Sequence, residues 1–487
     1  MDGPTSGLST TTSAAPKKQR RRRFKRSQLG VLLSIGLLMV LVLGSVGVVA
    51  YQSQQTGESW SAWVRRTLFS AAHRAKQPAP ATAVRGERVD FLTPRPIGFP
   101  FEQPPRISHL RPFDLDRDGL LDVLACDCTA NCVIWIRQHP VDVFTEQVLA
   151  ADLIAPAHIE VADVDGDGDD DLLVAVLGML FPNNDRIGSV VILENLGLQA
   201  GSVAFRNRTI QQGVARVSDV RAGDLDGDGD LDLAVAQFGY DDGETRWLEN
   251  LGGWKFRSHL LQSRSGGIHI EIADFNADGA PDLALLVSQE WEEIYLFAGD
   301  GKGGFSPLRV FAAENVDYGS SGLWVHDLDL DGDPDILFTN GDAFDYLPPS
   351  PRPWHGVQWL ENLGAMRFAY HRLVDFGGAV NAQPGDMDGD GDLDLVVASA
   401  FNAWEDPASR SLIWLENRGD MRFVHRDIAN APTHVMALAV ADVNGDGAID
   451  VVTGGMHVSR PYDRLERIVL WQGQQPQKNA GEKRRDP

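Results

Sequence analysis

The 487-residue chain has no G-x-S-x-G, H-E-x-x-H, P-loop or dinucleotide fingerprint, so no motif marks it as a hydrolase, a zinc protease or a nucleotide enzyme. Cysteine is nearly absent. The three present, Cys126, Cys128 and Cys132, lie within seven residues, and their C-x-C-x-x-x-C spacing matches neither the common zinc pattern nor a haem attachment site. A local disulfide with one thiol left over, a transition-metal site and plain free thiols all stay open. Basic residues are scarce beyond the N-terminal region. Residues 1–88 carry 14 Lys/Arg against 3 Asp/Glu, whereas the remainder carry 30 against 65. An acidic body of this kind repels nucleic acid and suits cation loading.

What the body has in abundance is aspartate in a fixed pattern. Seven stretches, typified by Asp224-Leu225-Asp226-Gly227-Asp228-Gly229-Asp230-Leu231-Asp232, place acidic or amide side chains at positions 1, 3, 5 and 9 and glycine at position 6. Their first residues are Asp114, Asp163, Asp224, Asp274, Asp327, Asp386 and Asp442, spaced by 49 to 61 residues, the period of a supersecondary unit. Alternation turns three carboxylates to one side of a tight loop, glycine permits the bend, and position 9 returns a fourth. An all-oxygen cage of this kind suits a hard cation, calcium before magnesium.

Each repeat follows one grammar. A short alternating run precedes the loop (His158–Ala162) and an apolar run follows it (Asp171–Val176). A third run ends in a turn (Trp247-Leu248-Glu249-Asn250), and a fourth starts at Phe144, Phe205, Phe256, Phe305, Phe368 or Phe423. All are short, rich in β-formers and bounded by Gly/Asn/Asp turns. Four antiparallel strands repeated seven times describe an all-β, seven-bladed β-propeller. The seventh repeat lacks its fourth strand, and Val89–Leu92 is expected to supply it, closing the ring over residues 89–472.

Ahead of the propeller, residues 1–28 read as a disordered basic tail. Leu29–Tyr51, 23 residues without a charge, are long enough to span a bilayer. The positive flank predicts a single-pass signal anchor with the N-terminus cytoplasmic and the propeller periplasmic or extracellular; a cleaved signal peptide is the competing reading. Residues 52–88 read as a juxtamembrane helix and linker, and 473–487 as a disordered polar tail.

The seven loops resemble the calcium-binding repeats of FG-GAP/VCBS proteins, whose members include the integrin α-subunit head. The resemblance implies up to seven structural Ca2+ ions in the loops between the two inner strands. By motif position the ligands would be Asp114, Asp116, Asp118 and Asp122; Asp163, Asp165, Asp167 and Asp171; Asp224, Asp226, Asp228 and Asp232; Asp274, Asn276, Asp278 and Asp282; Asp327, Asp329, Asp331 and Asp335; Asp386, Asp388, Asp390 and Asp394; and Asp442, Asn444, Asp446 and Asp450. Asn276 and Asn444 each remove a charge and predict weaker affinity. An EF-hand loop ends its ligand set at position 12 and opens into a helix, which these do not.

With metals on one face, the opposite face is left for a protein or carbohydrate ligand. Its candidates are Tyr240, Tyr346, Trp354, His355 and Trp404, aromatic or imidazole groups in the irregular connections between second and third strands. His109, His158 and His269 each precede a loop's first aspartate by five residues, which places them at one height of the central channel, with Asp219 at the equivalent place in the third repeat. They are candidate ligands for a transition metal or an anion, or plain channel lining. The sequence therefore reads as a membrane-anchored recognition or adhesion module. A polysaccharide-cleaving lyase or hydrolase and a scaffold subunit of a membrane complex are the alternatives.

Overall fold

The computed structural model describes residues 81–474, apart from 182, 200, 201, 290 and 347. The anticipated basic tail, membrane span and juxtamembrane helix, like most of the polar C-terminal tail, lie outside the described residues. Among the described residues no helix is long and apolar enough to cross a membrane.

Seven sheets follow one another along the chain, each built on four antiparallel strands. Their innermost strands are Ile107–Phe113, Pro156–Ala162, Arg216–Gly223, Gly267–Ala273, Gly322–His326, Ala379–Gly385 and Val435–Ala441. The second strands are buried along their whole length in six of the blades, as in Asp171–Val176 and Asp394–Ser399. They read as continuous apolar runs because both faces of each sheet are covered.

The core is divided rather than single. Seven apolar clusters each sit between two neighbouring blades, such as Leu225, Trp247, Ile270 and Phe297 between blades three and four. Another, between blades seven and one, contains Ile107, Val123, Ile134, Val452 and Leu470. Each blade buries one face against the blade before it and the other against the blade after it. No blade is sufficient alone, and the ring must close for the first and last to be covered.

Closure differs from the expectation. The outer strand of blade seven is Thr93–Pro96, paired antiparallel with Ile468–Gln472, not Val89–Leu92. Val89 is buried instead, and Phe91 lies edge-on to Trp414 at 5.4 Å, between blades six and seven. Apolar side chains fill the notch first, and pairing begins only beyond them. Pro94 and Pro96 suit this position because an edge strand leaves alternate N–H groups without a ladder partner. Upstream, Val84–Arg85 adds a short parallel strand to Phe423–Ala429 of blade six. With Thr82 and Ala83 bonded to the Arg372 and Leu373 carbonyls of blade five, the N-terminal segment straps three consecutive blades.

Candidate functional site

Each aspartate loop is assembled by the same backbone bonds. The position-6 glycines all have positive φ, from +84° to +99°, a conformation that L side chains rarely adopt. Each of these glycines donates its N–H to Oδ2 of the position-1 aspartate, from 2.8 Å in blade four to 3.2 Å in blade three. The position-9 aspartate is buried in every blade. Its Oδ2 accepts the N–H of the position-2 residue, and its Oδ1 accepts an N–H from the third strand or from the residue that follows it. In blade six these are Met387 at 2.9 Å and Asn417 at 2.7 Å. This residue clamps three strands together as well as completing the acidic loop.

In blade one the third-strand tryptophan joins the same device. Trp135 Nε1 donates to Asp122 at 2.8 Å. The asparagine that ends the third strand reaches back one blade in blades five and three: Asn362 Nδ2 donates to the Phe275 carbonyl and Asn250 Nδ2 to that of Val164.

Burial raises the position-9 carboxyls, to about 6 for Asp122, Asp232 and Asp450, about 7 for Asp171 and Asp335, and about 8 for Asp394. Desolvation, then the neighbouring Asp390 and Glu416, lifts Asp388 to about 6. Carboxylates so crowded call for a counter-ion. Five loops bring three carboxylates within 4.8 Å of one another, close enough to hold a metal ion: Asp114, Asp116 and Asp122; Asp163, Asp165 and Asp171; Asp224, Asp226 and Asp228; Asp327, Asp329 and Asp335; and Asp386, Asp388 and Asp394. Asp329 Oδ1 and Asp388 Oδ1, like Asp116 Oδ1, are shielded from solvent with no hydrogen-bond partner. Oxygens in that state fit the ligands of a cation.

The other end of the molecule is built differently. A cavity of about 620 Å3 follows the central channel and opens among the connections between second and third strands. One side carries Arg111, Glu271 and Arg221, the other Trp324, Leu438 and Ala439. Arg221 bridges Glu160 at 2.8 Å and Glu271 at 2.7 Å. Burial opposes its charge, but Asp219, Glu271 and Glu160 hold it protonated.

The three histidines do gather on this channel, around Asp219. His158 Nδ1 lies 3.1 Å from Asp219 Oδ1, His269 Nδ1 lies 3.5 Å from Oδ2, and the His109 and His158 rings are 4.0 Å apart. They do not form a metal cage: among the described residues only the five aspartate loops bring three ligand atoms so close. His109 Nδ1 instead accepts the Ile159 N–H, and burial lowers its pKa to about 3.

The aromatic candidates separate into two kinds. Tyr240 lines the cavity mouth and donates its hydroxyl to Asp345 at 2.5 Å. The others serve their own loops. His355 is buried and accepts the Gly378 N–H through Nδ1; Trp404 is buried against His434; Trp354 donates to the Asp317 carbonyl; and Tyr346 lies under the Arg352 guanidinium. Long loops need small cores of their own, and aromatic residues build them. The exposed aromatic residues in these connections, among the described residues, are Phe181, Trp291 and Tyr462. Phe181 and Tyr462 belong to the same run of irregular connections in the sequence, while Trp291 carries no distinguishing pattern.

No disulfide forms. Cys126, Cys128 and Cys132 are buried free thiols. Cys126 packs between blades one and two and Cys132 between blades one and seven, on opposite faces of one sheet. Burial pushes Cys128 up to about 12 and Cys132 to about 11, so neither is a reactive thiolate.

Among curated proteins, none matches this sequence. Of solved structures, BBS1N in complex with ARL6DN, soaked with lead, is 10% identical with a TM-score of 0.44, covering 77% of this chain and 93% of that one. The mercury-soaked form of the same complex is 11% identical with a TM-score of 0.43, covering 82% and 99%. The FG-GAP-like repeat signature matches residues 114–174, 224–285, 274–338 and 386–453. With half of its length matched, and with seven copies of the loop on seven blades, this chain belongs to the FG-GAP-like repeat family.

Proposed function

We propose that the protein is a membrane-anchored recognition module. Calcium in the aspartate loops stiffens one face, and the opposite face takes a protein or carbohydrate ligand. The anchor is Leu29–Tyr51, and the propeller works outside the cytoplasm. The observation that carries this reading is the asymmetry of the two faces. The aspartate face repeats one backbone design seven times. The other face joins its strands by connections of 4 to 16 residues, opens into the cavity, and exposes Phe181, Trp291 and Tyr462. Variable loops on a rigid frame are where recognition concentrates.

The test is binding of full-length protein in detergent to glycan and peptide arrays, in calcium. Phe181→Ala, Trp291→Ala and Tyr462→Ala should each weaken binding about tenfold, as loss of an aromatic anchor does. Leu251→Ala and Leu363→Ala, exposed at the far ends of third strands, should leave it unchanged. The opposite pattern sinks the assignment of the face.

One observation favours a catalytic reading. Asp342 and Asp345 both line the cavity mouth, and burial together with the charge of Asp345 raises the Asp342 carboxyl above its usual range. A carboxyl held protonated beside a second carboxylate is the arrangement used in glycosidic bond cleavage. Asp342→Asn abolishing polysaccharide cleavage while binding persists would establish that alternative.

A further inference from the structure

The seven loops look equivalent in sequence, but one differs in what stands beside it. The residue before the one whose N–H reaches Oδ1 of the position-9 aspartate is Glu194 in blade two, Glu249 in three, Glu361 in five and Glu416 in six. Each of these glutamates has a cationic partner of its own on the neighbouring strand or turn: Arg206 and Arg208 for Glu194, Arg257 and His259 for Glu249, His371 for Glu361, and Arg418 and Arg426 for Glu416. In blades four and seven the place is taken by Ala298 and Gln472, and the loops carry Asn276 and Asn444. In blade one it is Arg137.

The strand register delivers this side chain to the loop. Arg137 is followed by Gln138, whose N–H donates to Asp122 at 2.8 Å, just as the Asn250 N–H donates to Asp232 in blade three. The Arg137 guanidinium lies 2.5 Å from Asp116 Oδ2 and 3.5 Å from Asp118 Oδ2. Asp116 and Asp118 are ligand positions 3 and 5. His139 adds a second contact, its Nδ1 2.9 Å from Asp118 Oδ2. Asp116 keeps only Oδ1 without a hydrogen-bond partner. No other position-3 or position-5 aspartate among the described residues has an arginine in salt-bridge range.

We propose that blade one's loop is not a divalent-cation site, because Arg137 is its built-in counter-ion, and that the strong sites are the loops of blades two, three, five and six. A divalent ion entering blade one would have to expel a guanidinium already paired with two of its ligands and would then face that positive charge. In the loops of blades two, three, five and six it would meet three converging carboxylates with no guanidinium paired to positions 3 or 5. The assignment rests on the calcium reading of the loops, and its test separates the two.

The experiment is equilibrium dialysis of full-length protein in detergent against calcium, with bound metal counted per chain. Asp116→Asn/Asp118→Asn should leave the count unchanged, Asp226→Asn/Asp228→Asn should remove one ion, and Arg137→Glu should add one. Loss of an ion from the Asp116/Asp118 variant, or no gain in Arg137→Glu, overturns the proposal. If the unmodified protein binds no calcium, the calcium reading falls, and melting in chelator then decides the role of Arg137. Arg137→Gln should lower the midpoint by several degrees, whereas an unchanged midpoint would show that the guanidinium is not the loop's counter-ion.

Discussion

Blades one and three obey the same loop motif and fold to the same clamp, yet they meet their charge in opposite ways. In blade three the carboxylates of Asp224, Asp226 and Asp228 converge, and the nearby Arg257 and His259 pair with Glu249 instead of with them. In blade one Arg137 enters. Arg117, at position 4 of the same loop, reaches away from it to the Gly168 carbonyl and Asp170 of blade two. Backbone architecture and charge balance are therefore separable properties of a repeat. The first is set by the motif, and the second by one neighbouring side chain.

Metal should break this comparison most forcefully. Each loop that binds calcium stabilises the fold by about 2.7 kcal/mol at an ion concentration one hundred times its Kd, so four strong loops amount to on the order of 10 kcal/mol. A melt of full-length protein in chelator and then in graded calcium should show a large, saturable rise in midpoint. No rise would return all seven loops to solvated turns.

Smaller but still severe is the loss of a charge partner in the channel. Arg221→Ala leaves buried Asp219 and half-buried Glu160 and Glu271 without their guanidinium, and should cost about 3–5 kcal/mol in denaturant unfolding. Asp394→Ala orphans the Met387 and Asn417 N–H groups, at about 1–3 kcal/mol each. Calcium should not rescue that variant fully, whereas a pure ligand loss in a weak loop would be small.

A pH scan sharpens the contrast between a carboxyl that can recruit a cation and one that cannot. Glu292 is buried and accepts the Gly319 and Ser320 N–H groups, and burial raises it to about 7. The native state then holds this proton more tightly than the unfolded chain, whose glutamate titrates near 4.3. Its contribution is complete below about pH 4 and is lost as pH rises through 7, by up to about 3 kcal/mol. Glu292→Gln should flatten the stability profile between pH 5 and 8, and an unaltered slope would refute the assignment. The smallest effect belongs to the strap: Arg85 is largely exposed in its pairing with Asp427, and Arg85→Ala should cost less than about 1 kcal/mol.

Much of this protein is legible in one dimension. The loop is written in nine consecutive residues, and its glycine conformation, its turn bonds and the burial of position 9 all follow from neighbours in sequence. The strand count follows from alternation and from the recurring phenylalanines. Legibility ends where a residue's role depends on a partner far away. Val89–Leu92 has the apolar pattern of a strand but wedges between two blades, because Trp414 stands opposite it only in the closed ring. His355 and Trp404 look like ligand-binding groups because nothing local shows the loop that covers them.

By itself, the sequence determined the repeat, the propeller and the acidic face, since each is encoded within a few residues whose backbone geometry leaves little choice. Tertiary structure alone decided which strand closes the ring, how the histidines share Asp219 and that Arg137 neutralises one loop. It also seated Arg467 of blade seven in its buried bridge to Asp127 of blade one, 340 residues away. Such pairings carry no local signature, because their geometry exists only once seven sheets have been brought round to meet.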